Sequence, residues 1–459
     1  MDCYLLIDFG STYTKLCLVD IKGEKIVATD SSHTTVATNI IEGYNNVLNK
    51  VCSKIDLSTV NVIDTLACSS AAGGLKIVAI GITPFYTVEA AQKSALGAGG
   101  RILKSYGYFL DDEDIEEIDS LKPDMILLSG GAEGGNSTYI IKNAMKLTQL
   151  TMDTPIIVAG NSYANERVAE ILTRADREFY ITENLMPDVN MINPEPVREV
   201  IRESFMKRIV HAKGLEDIQK ITKNLLMPTP TAVLKATELL ARGPEGTEGK
   251  GEIMVVDIGG ATTDIHTVSE PLKDNSHFLE GLKEPYIKRT VEGDLGMRYS
   301  AVGVYEYVGE ENFLRFNDNL NNIRGQCEFR HNNPEIVMKE NKDIEFDEII
   351  AKNCVEVAVR RHSGTTRPSY YGGKQVLVQK GKDLRDLDLI IGTGGIIVNS
   401  LHPGEILKLA NGEVDDILTP KNPKLFLDKN YILSAMGLLS MKDKELAYKI
   451  LLDNIIQIA

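Results

Sequence analysis

The sequence predicts an α/β protein built from two related halves, and three observations predict it. Two glycine-punctuated hairpin signatures stand roughly half a chain apart. Between them, apolar strand-like segments alternate with amphipathic helical ones. A charged, glycine-rich stretch without apolar residues, Gly243-Pro244-Glu245-Gly246-Thr247-Glu248-Gly249-Lys250-Gly251, then separates the halves. At 459 residues the chain is too long for one ordinary core and suits two or three domains.

Residues 3–30 alternate strand and turn as a three-stranded meander, and helical periodicity covers 35–53. Strand-like runs at 64–69 and 76–82 flank Ser69-Ser70-Ala71-Ala72-Gly73-Gly74, a turn read as a phosphate loop or as shaped by packing. Helical patterns at 87–105 and 112–119 lead into the apolar run Met125-Ile126-Leu127-Leu128. From there the pattern is β–α–β–α–β over 125–129, 137–149, 155–159, 163–174 and 178–182, which implies parallel strands with crossover helices. The loop Ser129-Gly130-Gly131-Ala132-Glu133-Gly134-Gly135-Asn136 then falls at the carboxyl end of its strand, where open sheets bind ligands. It reads as a substrate or second phosphate site with Glu133 as base, or as a strand-to-helix turn shaped by packing.

Residues 194–224 read as a charged helical segment, and a second helix, Thr229 to Arg242, follows Pro228 and includes Pro230. The strand–turn–strand pattern restarts at 252, so the halves look like weakly related repeats. A polar stretch from 306 to 346 suits helices and loops; 347–362 reads as helix, 375–379 as extended, and 388–398 as a buried strand entering Gly392-Thr393-Gly394-Gly395. Helical patterns at 431–440 and 443–458 close the chain. The expected domains are 1–243 with an inserted α/β segment, 252–440, and a C-terminal helix over 441–459 packing back on the first.

Composition narrows the function. Lys+Arg 50 against Asp+Glu 65 gives a formal charge of −15, which argues against nucleic acid or an anionic membrane as partner of the whole surface. The six cysteines form no CxxC pair and mostly sit in apolar runs, as expected of buried thiols in a reducing compartment. Cys327 and His331 can share a helical face, but two ligands make no zinc site. The first apolar run is short and ends at Asp8, so it reads as a strand rather than a leader, and a cytoplasmic protein is expected.

The hairpins carry the chemistry. The first is Leu5-Leu6-Ile7-Asp8-Phe9-Gly10-Ser11-Thr12-Tyr13-Thr14-Lys15, the second Val255-Val256-Asp257-Ile258-Gly259-Gly260-Ala261-Thr262-Thr263-Asp264. Each is an apolar strand, an Asp at its end, a tight Gly/Ser/Thr turn and a returning strand. Glycine lets the backbone approach a phosphate and aim N–H groups at its oxygens, and short hydroxyls add donors. Carboxylates cannot face bare phosphate, so Mg²⁺ with retained waters is expected between them, held by Asp8 and Asp257. Gly10, Ser11, Thr12, Gly259, Gly260, Ala261 and Thr262 are the expected phosphate donors, and Lys15 a point charge on the terminal phosphates or an outward strand lysine. Asp264 supports a metal-bound water or serves the fold.

These segments, in this order, resemble the actin-like ATPase superfamily of sugar kinases, heat-shock chaperones and actin. The resemblance implies a two-lobed fold of duplicated ribonuclease H-like domains with inserted subdomains. Asp8 to Lys15 resembles its first phosphate motif, Asp257 to Asp264 its second, and Ile390-Ile391-Gly392-Thr393-Gly394-Gly395 its adenosine motif. Pro230-Thr231-Ala232 and Ala435-Met436-Gly437 resemble the two connecting helices. Ala261 departs from the glycine common in chaperones. By the same resemblance Gly296 would form a nucleotide-edge turn, Gly392, Gly394 and Gly395 would pass beneath adenosine, and Glu356, Arg360 and Ser363 would surround ribose and adenine. A solvated helix face is the alternative for that last trio. The cluster Arg360-Arg361-His362 with Arg367 would meet a partner or only solvent.

Over the whole chain the segments LIDFGSTYTK, ACSSAAGGLK, LLSGGAEGGN, VVDIGGATTD, VEGDLGMR and IIGTGG are similar to the MutL/GlmL family, accessory proteins of glutamate mutase and related adenosylcobalamin-dependent mutases. That resemblance implies ATP and Mg²⁺ as cofactors, Asp8, Asp257 and Asp264 as catalytic groups, slow ATPase activity, a mutase subunit as partner, and reactivation of the mutase as the role. A small-molecule kinase of the same superfamily is the rival reading, and a filament-forming relative a third. Fold alone cannot separate them.

Overall fold

The computed structural model describes residues 1–10, 12–34, 40–70, 75–98, 100–189, 191–212, 222, 226–272, 278–412 and 416–459. The chain groups into two compact units. One comprises Met1–Gly73, Val210–Phe278 and Glu284–Ala459, the other Gly74–Ile209 and Leu279–Lys283.

The first unit holds two sheets of one topology. In the first, the strands Asp2–Phe9, Tyr13–Asp20 and Lys25–His33 form an antiparallel meander; Asn61–Ser69 then joins parallel to Asp2–Phe9, and Leu226–Pro228 parallel to Asn61–Ser69. In the second, Ile253–Ile258, Thr263–Val268 and Ile287–Glu292 form the meander, and Leu389–Thr393 and Lys424–Asp428 add in parallel. The expected duplication is therefore present in the strand order itself.

In each sheet the last parallel strand leads into a helix. Pro228 precedes Thr229–Arg242, where Pro230 in the first turn costs no hydrogen bond. Asp428 precedes Leu433–Leu439 and accepts from the Ile432 and Leu433 N–H groups at 2.9 and 3.1 Å. The two helices cross backbone to backbone, since a Cβ on Gly437 would stand 1.8 Å from the Ala232 carbonyl oxygen. Around them Leu6, Leu66, Ala236, Leu240, Val255, Ile391, Met436 and Leu451 form one buried core that joins both sheets. The long helix Asn341–His362 covers the opposite face of the second sheet.

The stretch 243–251 lies inside this unit and is not a free spacer. Gly243 turns the chain at φ +73, and the Lys250 and Gly251 N–H groups fold back to Leu240 and Ala241 at 2.9 and 3.2 Å.

The second unit is an all-parallel sheet in the order Gly100–Tyr106, Leu75–Ile80, Met125–Gly130, Ile156–Gly160, Phe179–Ile181. The helices Asp112–Leu121, Thr138–Leu147 and Asn165–Arg174 follow the expected pattern.

Several elements depart from the sequence expectation. The helix expected over 87–105 ends at Gly97, and Gly100–Tyr106 is a strand beside Leu75–Ile80. Gly97 and Gly100 break the helix, and Ile102 and Leu103 suit a pleated surface equally well. The strand expected over 388–398 stops at Thr393, and Gly395–Asn399 is helical. The extended segment expected at 375–379 is present, as one arm of a hairpin, Thr365–Tyr371 with Lys374–Lys380. The final helix ends at Asn454, and Ile455–Gln457 pairs with Lys424–Asp428. Among the described residues no helix is long and apolar enough to cross a membrane.

Candidate functional site

The two Asp-bearing hairpins close in the same way. The Gly10 N–H reaches the Tyr13 carbonyl at 3.0 Å, and the Gly259 N–H reaches Thr262 at 2.9 Å. A Cβ on Gly10 would stand 2.5 Å from the Tyr13 oxygen, so the turn admits only glycine there. The two turns face each other: a Cβ on Gly260 would come within 3.1 Å of Thr12 Oγ1. Between them opens a cavity of about 610 Å³. Asp8, Gly10, Thr12, Lys15, Asp257, Gly260 and Tyr431 line its polar end, and Met297, Ile336, Val337, Met338, Ile344 and Ile396 an apolar wall. Thr229, Arg298, Asp347, Gly395, Asn399 and Ser400 also line the cavity.

The two aspartates are held very differently. Asp8 is buried and stands opposite Lys15 in register. Its Oδ2 accepts from Lys15 Nζ and Ser434 Oγ, each at 2.9 Å, and its Oδ1 from Thr229 Oγ1 at 2.7 Å and Cys68 Sγ at 3.5 Å. Burial alone would raise its pKa, but the Lys15 cation and the Thr229 and Ser434 hydroxyls outweigh it and hold the carboxyl below its usual range. Lys15 in turn lies 3.4 Å from the Tyr431 ring centroid. Burial disfavours its charge, yet Asp8, the Tyr431 hydroxyl and Asp257 raise its pKa above the ordinary value.

Asp257 stands opposite Asp264, not opposite a cation. Burial first, then the Asp264 carboxylate, pushes its pKa up to about 7 despite Lys15. It keeps part of its surface open to the cavity. Asp264 is itself committed: Arg289 Nε and Nη2 donate to its Oδ1 at 2.9 and 2.6 Å, and Thr262 Oγ1 to its Oδ2 at 3.1 Å.

Other expected site residues serve the frame around the cavity. Gly296 packs on the second turn, where a Cβ would meet the Ala261 backbone at 2.6 Å, and the neighbouring Met297 and Arg298 N–H groups donate to Gly259 and Gly260 at 3.0 and 2.8 Å. Gly394 crosses Ile258 so closely that a Cβ would stand 2.3 Å from its carbonyl oxygen, and it adopts φ +95. Gly392 packs against Ile397 and Leu407. Glu356 accepts from Arg360 Nη2 at 2.6 Å and pairs with Arg315; Ser363 Oγ donates to the Val359 carbonyl at 2.7 Å. None of these three lines the cavity. Arg361 pairs with Glu292 and Asp294 at 2.7 and 2.8 Å, and His362 is buried between Thr267 and Thr290. Ser11 and residues 71–74 lie outside the described residues.

In the second unit Glu133 accepts from Asn184 Nδ2 at 2.6 Å and from the Ser162 N–H at 3.2 Å, and also pairs with the Ser162 hydroxyl. Burial opposes its charge, but the Ser162 and Asn184 donors win and hold its pKa below the usual value. Its oxygens are occupied in organising the glycine-rich loop.

Four partners in the site escape a sequence reading. Thr229, Ser434 and Cys68 reach Asp8 from 221, 426 and 60 residues away. Tyr431 has one local signal, its place between a strand-ending Asp and a helix, and it sits at φ +54.

Fold and cavity together define an α/β protein with a duplicated sheet and an acidic, lysine-bearing cleft between matching hairpins. Compared with known families, residues 4–455 match the MutL protein family. A Protein MutL of Clostridium tetanomorphum is 46% identical over 445 residues, covering 96% of each chain. The chain belongs to the MutL family. Among solved structures, nucleotide-free acetone carboxylase aligns with 95% of this chain and 70% of its own at 14% identity and a TM-score of 0.42. The activator of the 2-hydroxyisocaproyl-CoA dehydratase from Clostridium difficile, with bound ADPNP, covers 100% and 99% at 10% identity and a TM-score of 0.31. Gluconate kinase from Lactobacillus acidophilus covers 100% and 93% at 11% identity and 0.36. At these scores none of them bears on what the chain does.

Proposed function

We propose that the cavity binds ATP with Mg²⁺, that the chain hydrolyses it slowly, and that the cycle serves an accessory protein that reactivates an adenosylcobalamin-dependent mutase such as glutamate mutase. The observation that supports this most is the pair of matching turns, each carrying an Asp, that open on one cavity with a polar end and an apolar wall. The polar end suits phosphates and the apolar wall, with Asn399 and Ser400, suits a nucleobase.

The donors fit a hard cation. The Asp257 carboxylate, among the described residues, accepts no side-chain hydrogen bond and faces the cavity, and Mg²⁺ prefers carboxylate and phosphate oxygens with retained waters. When bound there, Mg²⁺ would neutralise phosphate charge. Asp257 would hold it through water and orient the attacking water, Lys15 would face the terminal phosphates, and the Gly10 and Gly260 turns would present backbone to them. Asp264, bridged by Arg289, would fix the second turn.

The test is a pull-down from cell extract with and without ATP, probing for a cobalamin-dependent mutase subunit, together with ATPase assays. ATP-dependent retention and acceptor-independent turnover are expected. A phosphorylated metabolite, with no mutase retained, would replace this reading by a kinase.

A further inference from the structure

Asp8 has no free lone pair. A carboxylate offers about four acceptor positions, and here Lys15, Ser434, Thr229 and Cys68 fill them. Two of these donors are hydroxyls on the helices that follow the last parallel strand of each sheet. Thr229 opens Thr229–Arg242, and Ser434 stands in the first turn of Leu433–Leu439. Both hydroxyls are buried. The same two helices touch backbone to backbone at Gly437 and Ala232, with no side chain to cushion a shift. The second helix is tied further, because Asp428 caps it while accepting from Thr393 Oγ1 at 3.0 Å, on the strand that enters the Gly394 turn.

We propose that Thr229 and Ser434 are positioning residues that transmit the occupancy of the polyphosphate end of the cavity to the two crossing helices. The inference rests on the nucleotide reading above and names its regulation. A hydrated cation that brings a water to Asp8 must displace a donor already there. The neutral donors yield before Lys15, whose contact is charge-assisted and stronger; of these the Cys68 thiol sits on the strand Asn61–Ser69, and the Thr229 and Ser434 hydroxyls on the two helices. Release of Ser434 frees the first turn of its helix, and the tight crossing passes that shift to Thr229–Arg242. A ligand acts on the helices only by contacting one arrangement better than the other, and the shared carboxylate supplies that difference.

Hydrogen–deuterium exchange on the full chain tests this, comparing peptides over Thr229–Arg242 and Leu433–Leu439 before and after saturation with Mg²⁺ and a non-hydrolysable ATP analogue. Calorimetry on the same sample gives the affinity. In the wild type, exchange in both helices should change by about threefold or more. Ser434→Ala should bind the analogue within about tenfold of wild type, one hydrogen bond's worth, and lose the change over Leu433–Leu439; Ser434→Thr should restore it. Thr229→Val and Thr229→Ser make the same comparison for the other helix. Unaltered exchange responses in Ser434→Ala and Thr229→Val, with binding intact, overturn the proposal. An absence of binding in the wild type itself would instead remove the nucleotide reading, and this inference with it.

Discussion

The two hairpins share a turn, a hydrogen-bond pattern and an Asp at the same place, yet one substitution makes them opposites. Opposite Asp8 stands Lys15; opposite Asp257 stands Asp264. The first Asp is ionised, saturated with donors and locked. The second is crowded by a like charge, proton-affine and open to the cavity. Duplication has thus supplied two copies of one frame, and the residue opposite the Asp separates them: the first carboxylate is locked by donors, the second is left facing the cavity.

Mutation should break that symmetry in a defined order. The largest effect belongs to Asp257→Ala, which should reduce steady-state ATP hydrolysis by about 10²–10⁴-fold, the range for loss of a positioned acid–base group. Chemical denaturation of the same variant should show no loss of stability, because a crowded carboxylate is removed. Lys15→Ala should do the reverse to the fold. It leaves Asp8 buried and uncompensated, and breaking such a pair costs about 3–5 kcal/mol, readable as a lower denaturation midpoint. Equal destabilisation by the two variants would mean that the hairpins are not divided in this way.

Next comes the joint between the halves. Gly437→Ala places a methyl where the Ala232 oxygen already sits. Overpacking of this kind costs about 1–3 kcal/mol, and the variant should also lose nucleotide affinity if the crossing is shared by both hairpins. A stable variant with normal affinity would show that the helices can separate freely.

The smallest effect tests another buried ionisable group in the second half. Lys382 is fully buried, with Nζ on the Tyr286 carbonyl at 2.7 Å, and burial, then Lys288, lowers its pKa to about 7. Between that value and its ordinary 10.5 the unfolded chain holds a proton that the folded chain has shed, so stability should rise with pH across this window. Lys382→Met should therefore gain about 1 kcal/mol or more at neutral pH, and the gain should shrink toward pH 10. Melting curves across that range decide it; a gain that grows with pH would contradict the assignment.

What the sequence made legible follows from how local each feature is. The hairpins, the helix Thr229–Arg242 and the alternating pattern after Met125 are written in turn residues and periodicity within a few positions. The close approach of Gly10 to the Tyr13 carbonyl is likewise required by the backbone beside it. What stayed hidden is non-local. Nothing near Asp8 announces Ser434, 426 residues on, and nothing near Asp264 announces Arg289, which reaches it across a neighbouring strand. The opposed residues Lys15 and Asp264 lie within the hairpins themselves, but these distant partners, which saturate Asp8 and hold Asp264, do not. The strand Gly100–Tyr106 was hidden for another reason: its apolar pattern is short and fits either period, and only pairing with Leu75–Ile80 settles it.

One titration bears most directly on the grip of opposed hairpins on a metal-bound polyphosphate. Calorimetry of the full chain with ATP, once with Mg²⁺ and once with chelator, should give saturable one-to-one binding that weakens by about tenfold or more without the metal. Binding of equal strength with and without Mg²⁺, or no heat in either case, would contradict it.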